Sequence, residues 1–134
     1  MRGYFDGSCG PRNPGGTAKF GWALVNEKKE VFSQANGFIG SGPGMTNNVA
    51  EYVGLLRLLQ FIKENGLSGV DIYGDSKLVV MMVSGVWGKR APHKHAPHLR
   101  DYLYKCRALL AETACVLRWI PREQNTLADD LSKL

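Results

Sequence analysis

Four carboxylates carry the chemistry this sequence is equipped for: Asp6 on an early β-prone run, Glu51 one turn into a helical run, Asp75 just after an apolar run, and Asp129 near the C-terminus. Each stands where a regular element meets a loop. Drawn together, they would form an oxygen-only donor set, the kind that holds a hard divalent cation such as Mg²⁺. Without one, they could not all ionise cheaply at close range. Taken singly, each also fits a local role: Asp6 in a turn with Gly7, Asp75 as a helix N-cap, Glu51 beside a helix N-terminus, and Asp129 as a solvated acid beside Asp130.

Other metal chemistries are poorly supplied. His93, His95 and His98 crowd into six residues beside two prolines, with no distant partner cluster to complete a zinc site. The three cysteines, Cys9, Cys106 and Cys115, are odd in number and form no C-x-x-C pair. Neither a disulfide framework nor a cysteine zinc site is expected, and a reducing, cytoplasmic setting fits.

Carboxylates so widely spaced need a fold to gather them. At 134 residues, 44% hydrophobic and 22% charged, the chain has the size and composition of one globular domain over 1–134. Tyr4-Phe5 opens a first strand, Gly10 to Gly16 turns, and Phe20 to Val25 and Val31 to Phe38 complete a meander. Thr46-Asn47-Asn48 supplies N-cap residue types before a helix reaching Glu64, whose apolar positions are too broad for a purely surface helix. Val70 to Tyr73 reads as a strand, and a second helix follows Asp75-Ser76 through about Val83. A third helix fits Leu99 to Glu112, and Cys115 to Ile120 a fifth strand. A last helix spans Asn125 to Leu134, with Leu127, Leu131 and Leu134 on one stripe. The order βββαβααβα predicts an α/β fold: one mixed five-stranded sheet with helices on both faces. The longest strongly apolar run, Leu78 to Val83, falls far short of the roughly 18 residues of a membrane span. Asp6 stands where a secretory signal would need its apolar segment, and no membrane partner is expected.

The net charge is +5, from 17 Lys and Arg against 12 Asp and Glu; with the four junction acids set aside the rest of the chain carries +9. Lys77 to Arg107 holds seven of the bases and one acid, Asp101. Such a surface suits a polyanion, although a basic segment is also an ordinary solvated face.

The local contexts of the four acids resemble the type 1 ribonuclease H family over essentially the whole chain. Asp6-Gly7-Ser8-Cys9 with Asn13-Pro14-Gly15 is similar to its first motif and Thr46-Asn47-Asn48-Val49-Ala50-Glu51 to its second. Asp75-Ser76 is similar to the third, and Trp119-Ile120-Pro121-Arg122-Glu123 with Asn125, Ala128-Asp129 and Leu131 to the fourth. The resemblance implies a ribonuclease H-like fold and a metal-dependent endonuclease that hydrolyses the RNA strand of RNA/DNA hybrids, leaving 5′-phosphate and 3′-hydroxyl ends. It implies two Mg²⁺ ions, with Mn²⁺ as a substitute: Asp6 and Asp75 as central ligands, Glu51 on the leaving-group side, and Asp129 on the water-activating side, with Asp130 the competing choice for that last role. It also implies backbone contacts from Cys9, Asn13, Asn48 and Ser76, and a DNA-phosphate pocket that includes Thr46. Thr46, Asn47 and Asn48 are in addition a helix start, where free N–H groups favour anions.

Trp87 precedes Lys89-Arg90 and is open to two readings, a stacking face for a strand or a core or lid tryptophan. The interval from Trp87 to Leu99 is too short for the extra basic helix of many relatives, so Lys89, Arg90 and Lys94 form a reduced handle. The loop before the last helix lacks the histidine of many members, leaving Arg122 or Glu123 to act there. Two other classes compete: a non-catalytic nucleic-acid-binding module of the same fold, and a related metal-dependent nuclease with another substrate. The expected partner is a hybrid duplex bound by a monomer with no obligate protein partner. Hybrid affinity is expected to fall steeply with salt in a filter-binding titration, by roughly 0.7–0.9 log units per log unit of salt for each phosphate contacted; a flat plot would count against phosphate contacts.

Overall fold

The computed structural model describes residues 1–88 and 95–134. Five strands form one sheet: β1 (Arg2–Gly10), β2 (Gly15–Val25), β3 (Val31–Gly42), β4 (Asp71–Gly74) and β5 (Val116–Trp119), in spatial order β3-β2-β1-β4-β5. The first three are antiparallel neighbours, whereas β1–β4 and β4–β5 are parallel. The helices are α1 (Asn47–Glu64), α2 (Lys77–Val83), α3 (Pro97–Glu112) and α4 (Thr126–Ser132), with a single 3₁₀ turn at Arg122–Gln124 before α4. This is the mixed sheet and element order read from the sequence.

Several boundaries differ. The first hairpin extends beyond its apolar residues, because Ser8, Cys9 and Gly10 pair with Lys19, Ala18 and Thr17. Backbone pairing, not hydrophobicity, sustains the strands there. Helix α3 begins at Pro97, where a residue without an N–H costs nothing in the first turn.

Helix α1 packs on one face of β1 and β2 and has ten of its eighteen residues buried, Glu51 being the one charged side chain among them. Thr46 starts the helix by accepting the Val49 N–H at 3.1 Å on its hydroxyl. The core under α1 contains Phe5, Trp22, Leu24, Leu55, Leu58, Leu59, Ile62 and Ile72. Helix α4 packs on β1 and β2 from the opposite face.

Two close approaches set the height of these helices over the sheet. A Cβ on Gly7 would lie 2.2 Å from the Ala50 carbonyl carbon and 2.3 Å from the Glu51 nitrogen, so β1 touches the α1 backbone there. A Cβ on Gly21 would lie 2.6 Å from the Ser132 nitrogen of α4. Gly21 pairs with Asp6 across the β1–β2 ladder, and cross-strand partners share a face, so Asp6 lies on the side that α4 covers. Gly7→Ala is expected to lower the melting temperature by roughly 5–10 °C, as overpacking of this kind costs about 1–3 kcal/mol, while Gly44→Ala, with open space around its Cβ, should melt like the parent.

Candidate metal centre and nucleic-acid cleft

Asp6 comes from the middle of β1, Asp75 follows the end of the neighbouring β4, and Glu51 sits one turn into α1, pressed down beside Gly7. One carboxylate oxygen of each lies within 4.8 Å of the others. Asp6 and Glu51 are 4% and 7% exposed, and Glu51 Oε2 is buried without a hydrogen-bond partner. The Gly7 N–H donates to Asp6 Oδ1 at 2.9 Å. Asn125, itself buried, donates from Nδ2 to the Phe5 carbonyl (2.9 Å) and to Asp75 Oδ2 (3.1 Å), tying the start of α4 to β1 and to the third acid. The Trp119 indole N–H holds the Asp75 carbonyl at 3.0 Å, with the Lys77 ammonium over its ring.

These acids are costly as anions. Burial, reinforced by the charge of Asp75 and by Asp129, pushes Asp6 up to about 6, against the opposing pull of Glu51 and the Gly7 N–H. Burial holds Glu51 well above the usual carboxylate range, with Asp6 and Asp75 adding to it. Asp75 is also raised, chiefly by burial, despite the Asn125 hydrogen bond and the Arg122 charge. A buried carboxylate oxygen without a donor, in a group that repels itself and offers only oxygen, fits a hard divalent cation: the ion supplies both the missing partner and the missing charge.

Asp129 lies outside the tight trio, on the wall of the same cleft of about 700 Å³. Burial pushes its carboxyl up, but Lys133 at 3.1 Å, Asp6 and the Arg122 guanidinium at 3.8 Å outweigh this and hold it below its usual value. Asp130, the competing acid, is exposed and turned away from the cleft lining.

The other anticipated residues distribute as follows. Cys9 and Asn47 line the cleft; the Cys9 thiol donates to the Arg12 carbonyl at 3.1 Å. Asn13 Oδ1 accepts the Asn47 N–H at 3.0 Å, joining the β1–β2 turn to the start of α1. Thr46 caps α1, Asn48 is half-buried in its first turn, and Ser76 caps α2 through the Val79 N–H at 3.3 Å. Arg122 lines the cleft with its side chain exposed. Trp87 is 44% exposed, which removes the core reading; its carbonyl accepts from Arg107 at 3.3 Å. Lys89, Arg90 and Lys94 lie outside the described residues.

Three contributors were not anticipated as such. Asn125 entered the sequence reading only as part of a motif, and its role depends on partners 120 and 50 residues away. Lys19 and Lys133 line the cleft from β2 and from just beyond α4. The one sequence signal for Lys133 was its position four residues after Asp129, an ordinary helical ion-pair spacing.

Comparison with known proteins bears on what this geometry belongs to. Residues 4–134 match the family described as "Reverse transcriptase-like". The ribonuclease HI of Halobacterium salinarum is 32% identical over 130 residues, 96% of this chain and 60% of that protein. The crystal structure of RNase H1 from H. salinarum superimposes with a TM-score of 0.83 at 31% identity, covering 97% of this chain and 92% of that one. The chain belongs to the type 1 ribonuclease H family. A second member, LC11-RNase H1 solved in complex with an RNA/DNA hybrid, gives a TM-score of 0.80 at 30% identity over 96% of this chain and 91% of that one. The bifunctional protein Rv2228c of Mycobacterium tuberculosis is 34% identical over 127 residues, 94% of this chain. The chain spans 60% and 32% of the length of these two curated relatives, the ribonuclease HI and Rv2228c.

In this ribonuclease H-family chain, metal-free stability follows from the raised acids. A carboxyl with folded pKa near 6, against 3.8 for the free group, contributes stability below about pH 4 that is lost as the pH rises through 6. In EDTA at about pH 7.5, Asp6→Asn is therefore expected to melt roughly 3–8 °C above the parent, with the gap closing near pH 4. Equal melting temperatures at the higher pH would contradict the assigned cost of ionising the buried Asp6.

Proposed function

We propose that this chain hydrolyses the RNA strand of RNA/DNA hybrids, using two Mg²⁺ ions held by Asp6, Glu51, Asp75 and Asp129, and leaves 5′-phosphate and 3′-hydroxyl ends. The observation that carries this reading is the trio of carboxylates within 4.8 Å, one of its buried oxygens unpartnered, at the floor of a cleft lined by Lys19, Arg122 and Lys133. When bound, the divalent ions would supply Lewis acidity and counter-charge for a phosphodiester, roles that Mn²⁺ also fills.

The chain's own groups do the positioning. Asn125 fixes the rotamer of Asp75 from β1, so the central pair stays aligned as charge is added. Lys19, Arg122 and Lys133 offset the acids and draw in the phosphates. Asp129, already ionised and held by Lys133 and Arg122, is the acid readiest to accept hydrogen bonds from a nucleophilic water. Cys9, Asn13, Thr46, Asn47, Asn48 and Ser76 present short polar groups at the mouth or at nearby helix starts, the means by which a protein reads sugar and phosphate and tells RNA from DNA. Trp87, with Lys89 and Arg90 following it in sequence, offers a face for a strand. The solved hybrid complex of LC11-RNase H1 supports the substrate class.

A purely binding role is disfavoured, since a binder gains nothing from buried acids where phosphate must approach. Asp6, Glu51, Asp75 and Asp129 line one cleft within a single copy, which supports a site held by one chain. Among the described residues no helix is long and apolar enough to cross a membrane, and the three free cysteines fit a reducing, cytoplasmic compartment.

End-labelled hybrid, duplex RNA and duplex DNA, each with Mg²⁺ and with EDTA, test the reading. RNA-strand cleavage of the hybrid in Mg²⁺ alone is expected, with Asp6→Asn losing at least about 10³-fold in rate while still binding hybrid, and Arg122→Ala losing more than about twofold. Binding without cleavage would leave the binding module, and preferential cleavage of another duplex would reassign the substrate.

A further inference from the structure

The outer edge of β3 stands apart from everything the cleft uses. β3 ends the sheet on one side, and no strand pairs with its outer edge among the described residues. Its twelve residues, Val31 to Gly42, include no charged residue and no proline, the usual guards of a free edge. The opposite edge, β5, is four residues long and carries Arg118. On β3, Phe32 and Phe38 are 54% and 66% exposed.

The order of residues along β3 reads nearly the same in both directions about Ala35. Gln34 balances Asn36, Ser33 balances Gly37, Phe32 balances Phe38, and Val31 balances Ile39. Antiparallel pairing about a twofold axis sets each residue against the one equally far from the centre on the other strand. In that register the exposed Phe32 of one copy meets the exposed Phe38 of the other, twice, and the side-chain amides of Gln34 and Asn36 meet between them. Gln34, Asn36 and Phe38 share one face of the strand by alternation, and Phe32, at the register shift, is exposed as they are. From Ser33 to Phe38 the pairing with β2 is unbroken, so the centre is regular enough to accept another strand; Phe32 falls in the register shift between Ser33 and Val31 and has no β2 partner, so its contact with Phe38 lies at the margin of the regular stretch.

We propose that two copies of this chain associate edge to edge through antiparallel β3–β3 pairing centred on Ala35, joining their five-stranded sheets into one of ten. β3 runs parallel to β1, so the pairing directs the two clefts toward opposite ends of the joined sheet. Aromatic cross-strand pairs and new backbone hydrogen bonds supply the attraction.

Sedimentation velocity on the whole chain, from about 5 to about 500 µM, reads the association, since a contact of this size holds weakly. A concentration-dependent dimer is expected, and F32K or F38E alone should weaken it at least about tenfold by removing both aromatic pairs. An equal mixture of F32K and F38E should associate again, because the heterodimer sets lysine against glutamate at one contact and keeps Phe–Phe at the other. Hydrogen exchange in the parent should slow at residues 33–37 as the concentration rises, which tests the pairing even if a variant folds poorly. A monomer throughout the range, a dimer untouched by either substitution, a mixture that stays apart, or protection elsewhere than β3 would each overturn the proposal. Phe32 lies away from the cleft-lining residues and F32K is expected to cleave hybrid at the parent rate, so this outcome is separate from the function proposed above.

Discussion

Like charges forced together in a place with little water govern this structure. Asp6, Glu51 and Asp75 bring their oxygens within 4.8 Å, and burial pushes all three upward from ordinary carboxylate behaviour. The protein's own donors relieve this only in part: Asn125 gives Asp75 one hydrogen bond, Gly7 gives Asp6 one, and Glu51 Oε2 receives none. The fold therefore concentrates a demand for positive charge at one point, which protons meet in part in the metal-free protein and which the divalent ions of the proposed function would meet in full.

Holding that arrangement is the work of the neighbouring packing. Gly7 allows α1 to rest on β1 with its backbone in contact, which carries Glu51 to the side of Asp6. Parallel pairing of β1 with β4 brings the end of β4, and so Asp75, alongside. On the other face Gly21 admits α4, and Asn125 at its start reaches the Phe5 carbonyl and Asp75 together. A broad apolar base under α1, from Leu55 to Ile62, anchors the helix that bears the buried Glu51. Asp129 differs in kind: ion-paired with Lys133 and only partly buried, its carboxyl is held below its usual value where those of the trio are raised.

Much of this was legible in the sequence, for physical reasons. Turn residues between β-prone runs marked the meander, and Thr46 announced a helix that it does cap. Asp6, Glu51 and Asp75 stood out because each sits in a short local context similar to a family motif, although Asp6, expected where a strand meets a loop, lies in the middle of β1. What was not legible depended on distant contacts. The polar ends of β1 and β2 remain strand because they pair with each other, not because of their own composition. The helical stripe expected through Leu134 stops earlier: α4 ends at Ser132, and Leu134 is 72% exposed with its carbonyl accepting from Lys19. The preference for Asp129 over Asp130 rested on the resemblance, because one helical repeat in isolation does not specify how α4 is rotated against β2; Asp129 lines the cleft and Asp130 is exposed outside that lining.

The central claim is that the buried acids are a cation site. A crystal soaked in manganese and measured at the manganese absorption edge tests it most directly. Anomalous density is expected between Asp6, Glu51 and Asp75, within coordination distance of Glu51 Oε2, and should vanish in Asp6→Asn. Fully ordered carboxylates with no anomalous peak among them would contradict the account.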